Sequence, residues 1–266
     1  MRHWNGRAWA LVDNPGFGVN SIWGTGPNDA WAAAQFQIGH WDGTSWSVSL
    51  ANPPGFTTSI WGSTSRDIWA TSTGKTATNS IDTVLLHWNG ADWSSMPMNM
   101  PGSALSGIWG SAANDVWAVG TTVRQDGFTS LVLHWNGSAW SVEPTGVLKG
   151  YRFTAVWGSA ATDVWAAGAA TGAEGIDHPV LAHWNGTAWK DASDDAIKNA
   201  GISSLAAIWG SGPTDVYATG GSRILHWNGS TWSQQDPGVF TAFYGIWGSA
   251  PNHVWIVGDS VFLSRH

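Results

Sequence analysis

A serine or threonine, an aspartate and a histidine recur together along this 266-residue chain. Ser111, Asp115 and His134 are one such set, and Ser159, Asp163 and His183 are another. Hydroxyl, imidazole and carboxylate are the parts of a nucleophilic relay, in which a base takes the hydroxyl proton and an acidic group orients the base. Recurrence in nearly every repeat argues against that chemistry, because a brace is needed in every repeat and an active site only once. An Asp beside a turn can accept backbone N–H bonds, and a His can tie a neighbouring strand to that turn. At position 253 a His stands where the other copies have Asp, so one copy lacks the set. No GxSxG elbow, HExxH pair or phosphate-binding Gly-rich loop occurs. The expectation is a chain without catalytic residues.

Nine His could in principle hold metal, but six are the repeated residue, one to a repeat. His178, close to Glu174 and Asp177, stands apart from the pattern. Three such ligands on one loop could hold a cation; the alternative is a solvated polar loop, and no metal or other cofactor is expected. With no cysteine there are no disulfides and no thiolate metal sites.

The 23 tryptophans carry the other candidate chemistry. Each ring buries about 150–250 Å² when packed, so most should be core. An exposed indole beside Asn, Ser and His can stack on the apolar face of a pyranose while short polar groups take its hydroxyls. The indoles on the outermost strand of each repeat, Trp9, Trp46, Trp93, Trp140, Trp189 and Trp232, are therefore the sugar-binding candidates.

Two alternating phrases position these residues. One reads Ile-Trp-Gly-Ser-x-x-x-Asp-Val-Trp-Ala-x-Gly and starts at Ile22, Ile60, Ile108, Val156, Ile208 and Ile246; the other reads His-Trp-Asn-Gly-x-x-Trp and starts at His3, His40, His87, His134, His183 and His226. Tyr217 fills one Trp position, and the two phrases then account for all 23 Trp. Each repeat reads as four short strands, A to D. Ser21-Ile22-Trp23 represents A, and the β-branched and aromatic run Val116 to Val119 represents B. Arg223 to Trp227 represents C, and the Trp-Ser after the Asn-Gly turn represents D. Asn-Gly is a strong hairpin signal, and both turn positions are expected at positive φ. Six four-stranded units of about 40 residues imply an all-β, six-bladed β-propeller with antiparallel blades. One domain over 1–266 is expected. Residues 1–10 form a C–D hairpin without A or B strands, so they are expected to close the ring by completing the blade formed by 243–266. The close similarity of the copies fits recent duplication or design.

Spacing separates the two faces of the ring. Trp23 to Trp31 and Trp4 to Trp9 recur at constant length, which puts the A–B and C–D turns on one face. The B–C and D–A intervals vary and lie on the other face, where function concentrates in loops on a rigid scaffold. Long B–C loops at Thr71 to Val84, Thr121 to Leu131 and Ala169 to Val180 should form a wall on blades 2 to 4. Arg124, Asp126, Phe128, Asp177 and His178 are its candidate contact residues. The longest D–A segment contains Asp194 to Gly201, which fits a short capped helix ending at Gly.

Charged residues are 11% of the chain, against about 25% in typical domains, and the net charge is −7. No basic run exists to displace nucleic-acid counterions, so nucleic acid is not an expected partner. No apolar run of membrane-spanning length occurs, and no signal-peptide pattern precedes His3. A monomer that binds carbohydrate or protein is expected, from an extracellular or cell-surface parent.

The string Ser-Arg-Ile-Leu-His-Trp-Asn-Gly-Ser-Thr-Trp-Ser at Ser222 to Ser233, preceded by Trp-Gly-x-x-x-x-Asp-Val, resembles the blades of bacterial propeller lectins and tectonin-like repeats. It is also similar to Trp-Gly-Ser/Asp-Val-Trp-Ala-Val-Gly arrays of bacterial surface proteins. The resemblance covers all six blades. It implies a lectin-like propeller with several weak sites that gain from avidity. Those lectins usually have more blades, hold sugars in pockets between them, and carry a further Trp after the hairpin. Here that segment is Gln234-Gln235-Asp236 or Val142-Glu143-Pro144. The alternative is a structural or protein-interaction scaffold that uses the long-loop face of blades 2 to 4.

Overall fold

The computed structural model describes residues 2–4, 9–12, 18–75 and 81–265. The Asn5-Gly6 turn and the tip of the B–C segment in the second blade lie outside the described residues. Six antiparallel sheets of three or four strands follow a two-stranded one, and the fold is a six-bladed β-propeller.

Contacts divide the chain into two compact units, Met1–Ala104 and Leu105–His266. In the first, Arg2–Trp4 pairs with Trp9–Leu11. Blade 1 has strands A to D at Val19–Gly26, Asp29–Ala34, Gln37–Trp41 and Trp46–Ala51. Blade 2 has them at Phe56–Thr64, Asp67–Lys75, Ile81–Trp88 and Trp93–Pro97. Blade 3 opens with Ser103–Ala112 and belongs otherwise to the second unit, with Asp115–Arg124, Gly127–Trp135 and Trp140–Val142. Blade 4 is Tyr151–Ala160, Asp163–Thr171, Asp177–Trp184 and Trp189–Asp191; blade 5 is Ala207–Gly212, Asp215–Gly220, Arg223–Trp227 and Trp232–Gln235. Blade 6 pairs Phe243–Ala250, His253–Gly258 and Val261–Arg265 in a three-stranded sheet.

The Trp-Gly pair has a steric cause. A Cβ on Gly158 would stand 2.6 Å from Cη2 of Trp109 in the preceding blade. The same approach joins Trp23 to Gly62, Trp157 to Gly210 and Trp209 to Gly248. Each of these four strand-A indoles thus lies over the bare backbone of the next blade, where a side chain would be excluded. Strand-B indoles fill the next layer outward. Trp117 is buried against Trp184 and Trp189 of blade 4, and Trp165 against Trp227 and Trp232 of blade 5.

The turns differ from expectation in one respect. Only the Gly of each C–D turn takes positive φ, as at Gly137 (90°) and Gly186 (88°); the preceding Asn does not. Its side chain does the work instead. Asn136 Oδ1 accepts the backbone N–H groups of Ser138 and Ala139, and Asn185 Oδ1 those of Thr187 and Ala188. This is an Asx-capped loop between the paired tryptophans, not a two-residue hairpin.

The long B–C segments read as loops from the sequence are mostly strand. In blade 3 the ladder runs out to Arg124 opposite Gly127, and in blade 4 to Thr171 opposite Asp177. β-Branched residues and backbone pairing carry these hairpins beyond the blade. The helix after blade 4 is shorter than expected, Asp195–Lys198, with Asp194 as its N-cap through Ile197 N–H. No helix among the described residues is long and apolar enough to cross a membrane.

Candidate functional site

In blades 1, 2, 4, 5 and 6 strand A carries a β-bulge next to its Gly, and in blades 1, 2, 4 and 5 the residue it leaves unpaired is Thr25, Ser63, Ser159 or Ser211. A bulge re-aims the side chain of its extra residue. Here it turns the hydroxyl onto the first residue of strand B: Ser159 donates to Asp163 Oδ2 at 2.5 Å. The strand-C histidine reaches the other oxygen, with His183 Nε2 2.6 Å from Asp163 Oδ1. The same arrangement holds at Asp29, Asp67, Asp115 and Asp215. The carboxylate stands between hydroxyl and imidazole. A nucleophilic relay needs the imidazole in the middle, so the geometry is that of a brace tying strands A, B and C. Burial tends to raise Asp29, Asp67, Asp115 and Asp163, yet the His and hydroxyl bonds hold all four below the usual carboxylate value. The imidazole also stacks on the strand-B indole, His183 on Trp165 at 4.2 Å. Blade 6 has lost the centre and one end of the brace: His253 replaces the Asp, and Ser264, opposite Trp255, takes the place of the His.

Two of the strand-D tryptophans, Trp189 and Trp232, do not offer open faces. Trp189 and Trp232 are each 4% exposed, and Trp46, Trp93 and Trp140 are half-buried. The side chain of Trp9 lies outside the described residues. Trp93, Trp189 and Trp232 each set an edge against the strand-B indole of the preceding blade, with interplanar angles of 71°, 77° and 80°. The expectation of a stacking platform on strand D is corrected at Trp189 and Trp232, because blade-to-blade packing consumes both faces of the ring.

What remains open is a cleft of about 550 Å³ between blades 4 and 5. Trp165 and His183 form its inner wall, Trp227 and Trp232 its far side, and Ala192 to Asp194 its outer edge. Asp194 caps the short helix through Oδ1 and takes the Trp232 backbone N–H through Oδ2. Asp191 accepts Ser193 N–H. Burial and the neighbouring Asp191 carboxylate push the Tyr151 phenol up to about 12. The Trp232 indole N–H is buried without a partner. The Trp165 N–H faces the Asp163 carboxyl, which it helps to keep ionised, without closing a hydrogen bond.

Equivalent boundaries differ in a residue that follows the strand-D tryptophan. The third residue after the strand-D Trp is Ser49, Glu143 or Ala192 in blades 1, 3 and 4. Between blades 1 and 2, Ser49 Oγ accepts the Trp93 indole N–H at 3.0 Å. In blade 3, Glu143 Oε1 approaches His134 Nδ1 at 3.7 Å and accepts from Ser141 Oγ at 3.5 Å. In blade 4, Ala192 supplies no polar atom; the Trp232 N–H is buried without a partner, as is the Trp189 N–H at the boundary that carries Glu143. A second cleft of about 420 Å³ lies between blades 5 and 6, where Arg265 Nη1 donates to Tyr217 Oη at 2.6 Å. Sequence reasoning missed Trp165, His183, Ala192 and Trp227 as a group. Ala192 is the smallest residue at a position otherwise held by Val12, Ser49, Met96, Glu143 and Gln235.

On the variable face, Arg124 and Asp126 sit at the exposed tip of the blade 3 hairpin. Phe128 lies under the Arg152 guanidinium, 4.6 Å from its ring centre. Arg152 also pairs with Asp177 Oδ2 at 2.7 Å and donates to Thr171 Oγ1. Two of the five loop candidates, Phe128 and Asp177, are thus brought together by an arginine that the sequence did not single out. His178 is half-buried beside Gly172. Among the described residues no three potential ligands gather as a metal site.

Solved structures share the fold. "YCF48 bound to D1 peptide" matches at TM-score 0.64 and 18% identity, over 98% of this chain and 82% of that one. YCF48 from Cyanidioschyzon merolae matches at TM-score 0.53 and 13% identity, over 97% and 99%. A glucose dehydrogenase matches at TM-score 0.57 and 9% identity, over 97% and 99%. At these identities the likeness concerns the propeller alone. No protein-family model matches the chain, and no curated protein sequence matches it.

Proposed function

We propose that this chain is a non-catalytic carbohydrate-binding propeller, with its principal site in the cleft between blades 4 and 5. The observation that carries the reading is a cleft walled by Trp165, Trp227 and Trp232 and edged by Ser193 and Ser230. The indole of Trp227 supplies the flat apolar surface that a pyranose needs, and Ser230 supplies a hydroxyl at the mouth.

The test is a panel of neutral and charged methyl glycosides, titrated against the chain with calorimetry and tryptophan fluorescence. Binding of at least one pyranoside is expected, weakened by Trp227→Ala, which removes the flat apolar face. Failure of every glycoside at millimolar concentration would refute the reading.

A second reading, a protein-interaction scaffold, has its own support. Val123, Phe128 and Ile176 are exposed apolar side chains at the hairpin tips of blades 3 and 4. A partner docking there would be lost on Phe128→Ser and Ile176→Ser, while glycoside binding would be unchanged.

A further inference from the structure

The cleft between blades 4 and 5 is lined by three carboxylates, Asp163, Asp191 and Asp194, and among the described residues that line it there is no lysine or arginine. Asp163 belongs to the brace that other blades repeat. Asp191 and Asp194 belong to this boundary alone. They stand two and five residues after the strand-D tryptophan, where blade 3 has Val142 and Thr145 and blade 5 has Gln234 and Pro237. No other copy carries an acid at either position. Lys190 precedes Asp191 on strand D, and successive strand residues project to opposite faces.

The chain does not neutralise this pair. Asp191 accepts Ser193 N–H at 2.9 Å, and Asp194 accepts Ile197 N–H at 3.2 Å and Trp232 N–H at 3.1 Å. All three donors are uncharged backbone groups. None of the ion pairs among the described residues includes Asp191 or Asp194. An ionised carboxylate has about four lone-pair sites, so each retains acceptor capacity. The walls opposite are indoles. Trp227 stands 5.6 Å from Trp165 and 5.8 Å from Trp232, tilted to both. An indole face attracts a cation more strongly than any other side-chain ring. The carboxylates do not converge as metal ligands do: among the described residues no three potential ligands gather. The lining suits an organic cation carried on a larger body.

We infer that the cleft between blades 4 and 5 takes an amino sugar in its protonated form, with the ammonium at the outer edge by Asp191 and Asp194 and the pyranose face on Trp227. This rests on the carbohydrate reading above and narrows it. A neutral sugar covers Trp227 but leaves the two outer carboxylates without a cation. A sugar acid meets like charge. A small ammonium ion answers the carboxylates but lacks a face for Trp227. Charge-assisted bonds of the kind an ammonium would make are about twice as strong as neutral ones.

The experiment titrates the intact chain with the methyl glycosides of glucosamine and galactosamine, the matching neutral hexosides, and methylammonium. At least one amine is expected to bind about tenfold tighter than its hexoside, a difference of about 1.4 kcal/mol. The preference should shrink as salt rises and vanish at a pH that deprotonates the amine. Asp191→Asn keeps an acceptor for Ser193 N–H and removes the charge. It is expected to weaken the preference for amine over hexoside while leaving hexoside affinity unchanged, a split that a merely structural effect would not give. Asp191→Lys, at an exposed position, is expected to abolish amine binding. Equal affinity for amine and hexoside overturns this inference and leaves the carbohydrate reading standing. Amine binding unchanged in folded Asp191→Lys overturns the placement. Methylammonium binding as tightly as the amino sugar overturns the sugar class, and no binding by any glycoside overturns both readings.

Discussion

Trp109 and Gly158 belong to neighbouring blades, and a Cβ on Gly158 would lie 2.6 Å from Cη2 of that indole and 2.7 Å from the Asp163 carbonyl oxygen. No rotamer change relieves both contacts, because one of them is backbone. Gly158→Ala is therefore expected to destabilise the chain by about 1–3 kcal/mol, the usual cost of overpacking a filled core. Gly212→Ala, where a Cβ meets nothing within 4 Å, should be close to neutral. Urea midpoints of the two variants test the contrast.

The four brace aspartates, held below their ordinary value of 3.8 as Asp42 and Asp177 also are, contribute to the acid limb of stability. A carboxyl whose folded value lies below its unfolded one contributes stability that is complete above the unfolded value. That contribution is lost as pH falls through the folded value. The urea midpoint should thus stay level from neutral pH to about pH 5 and fall below about pH 4. Asp163→Asn should be less stable at neutral pH and show a shallower acid decline. An unchanged slope in that variant would show that the brace carries no linkage.

Ala192→Ser places a hydroxyl where Ser49 satisfies Trp93 in blade 1. The Trp232 indole N–H gains an acceptor, and the chain should be stabilised by about 0.5–1.5 kcal/mol. The same change fills part of the cleft, so glycoside affinity should fall as the melting temperature rises. Opposite movement of the two readouts is the expected signature.

Arg152 joins Phe128 of blade 3 to Asp177 of blade 4. Arg152→Met keeps the aliphatic stem and removes the charge. Hydrogen exchange at the tips of both hairpins should speed up, with little effect on global unfolding, because the pair is on the surface. A matching rise in exchange at high salt in the unaltered chain would confirm that the link is ionic.

The strands, the turns and the number of blades were legible because their causes are local. Trp-Gly, Asp-Val-Trp and His-Trp-Asn-Gly each specify a bulge, a strand start or a capped turn within a few residues. The recurrence of Ser, Asp and His was also enough to suggest a brace over a catalytic set. The side-chain capping by Asn136 and Asn185 was misread as paired positive φ, since Asn-Gly alone does not say which group satisfies the turn.

Which indoles are buried and which boundary is open could not be read along the chain. Trp189 and Trp232 occupy outermost strands, and only the inward edge of the neighbouring blade, at Trp117 and Trp165, decides that they are covered. Ala192 is an unremarkable residue in sequence. It acquires meaning because strand pairing sets it near His183, and packing sets Trp232 across from it. Backbone conformation follows from near neighbours, whereas burial and unmet hydrogen bonds follow from surfaces that meet only when separate repeats pack.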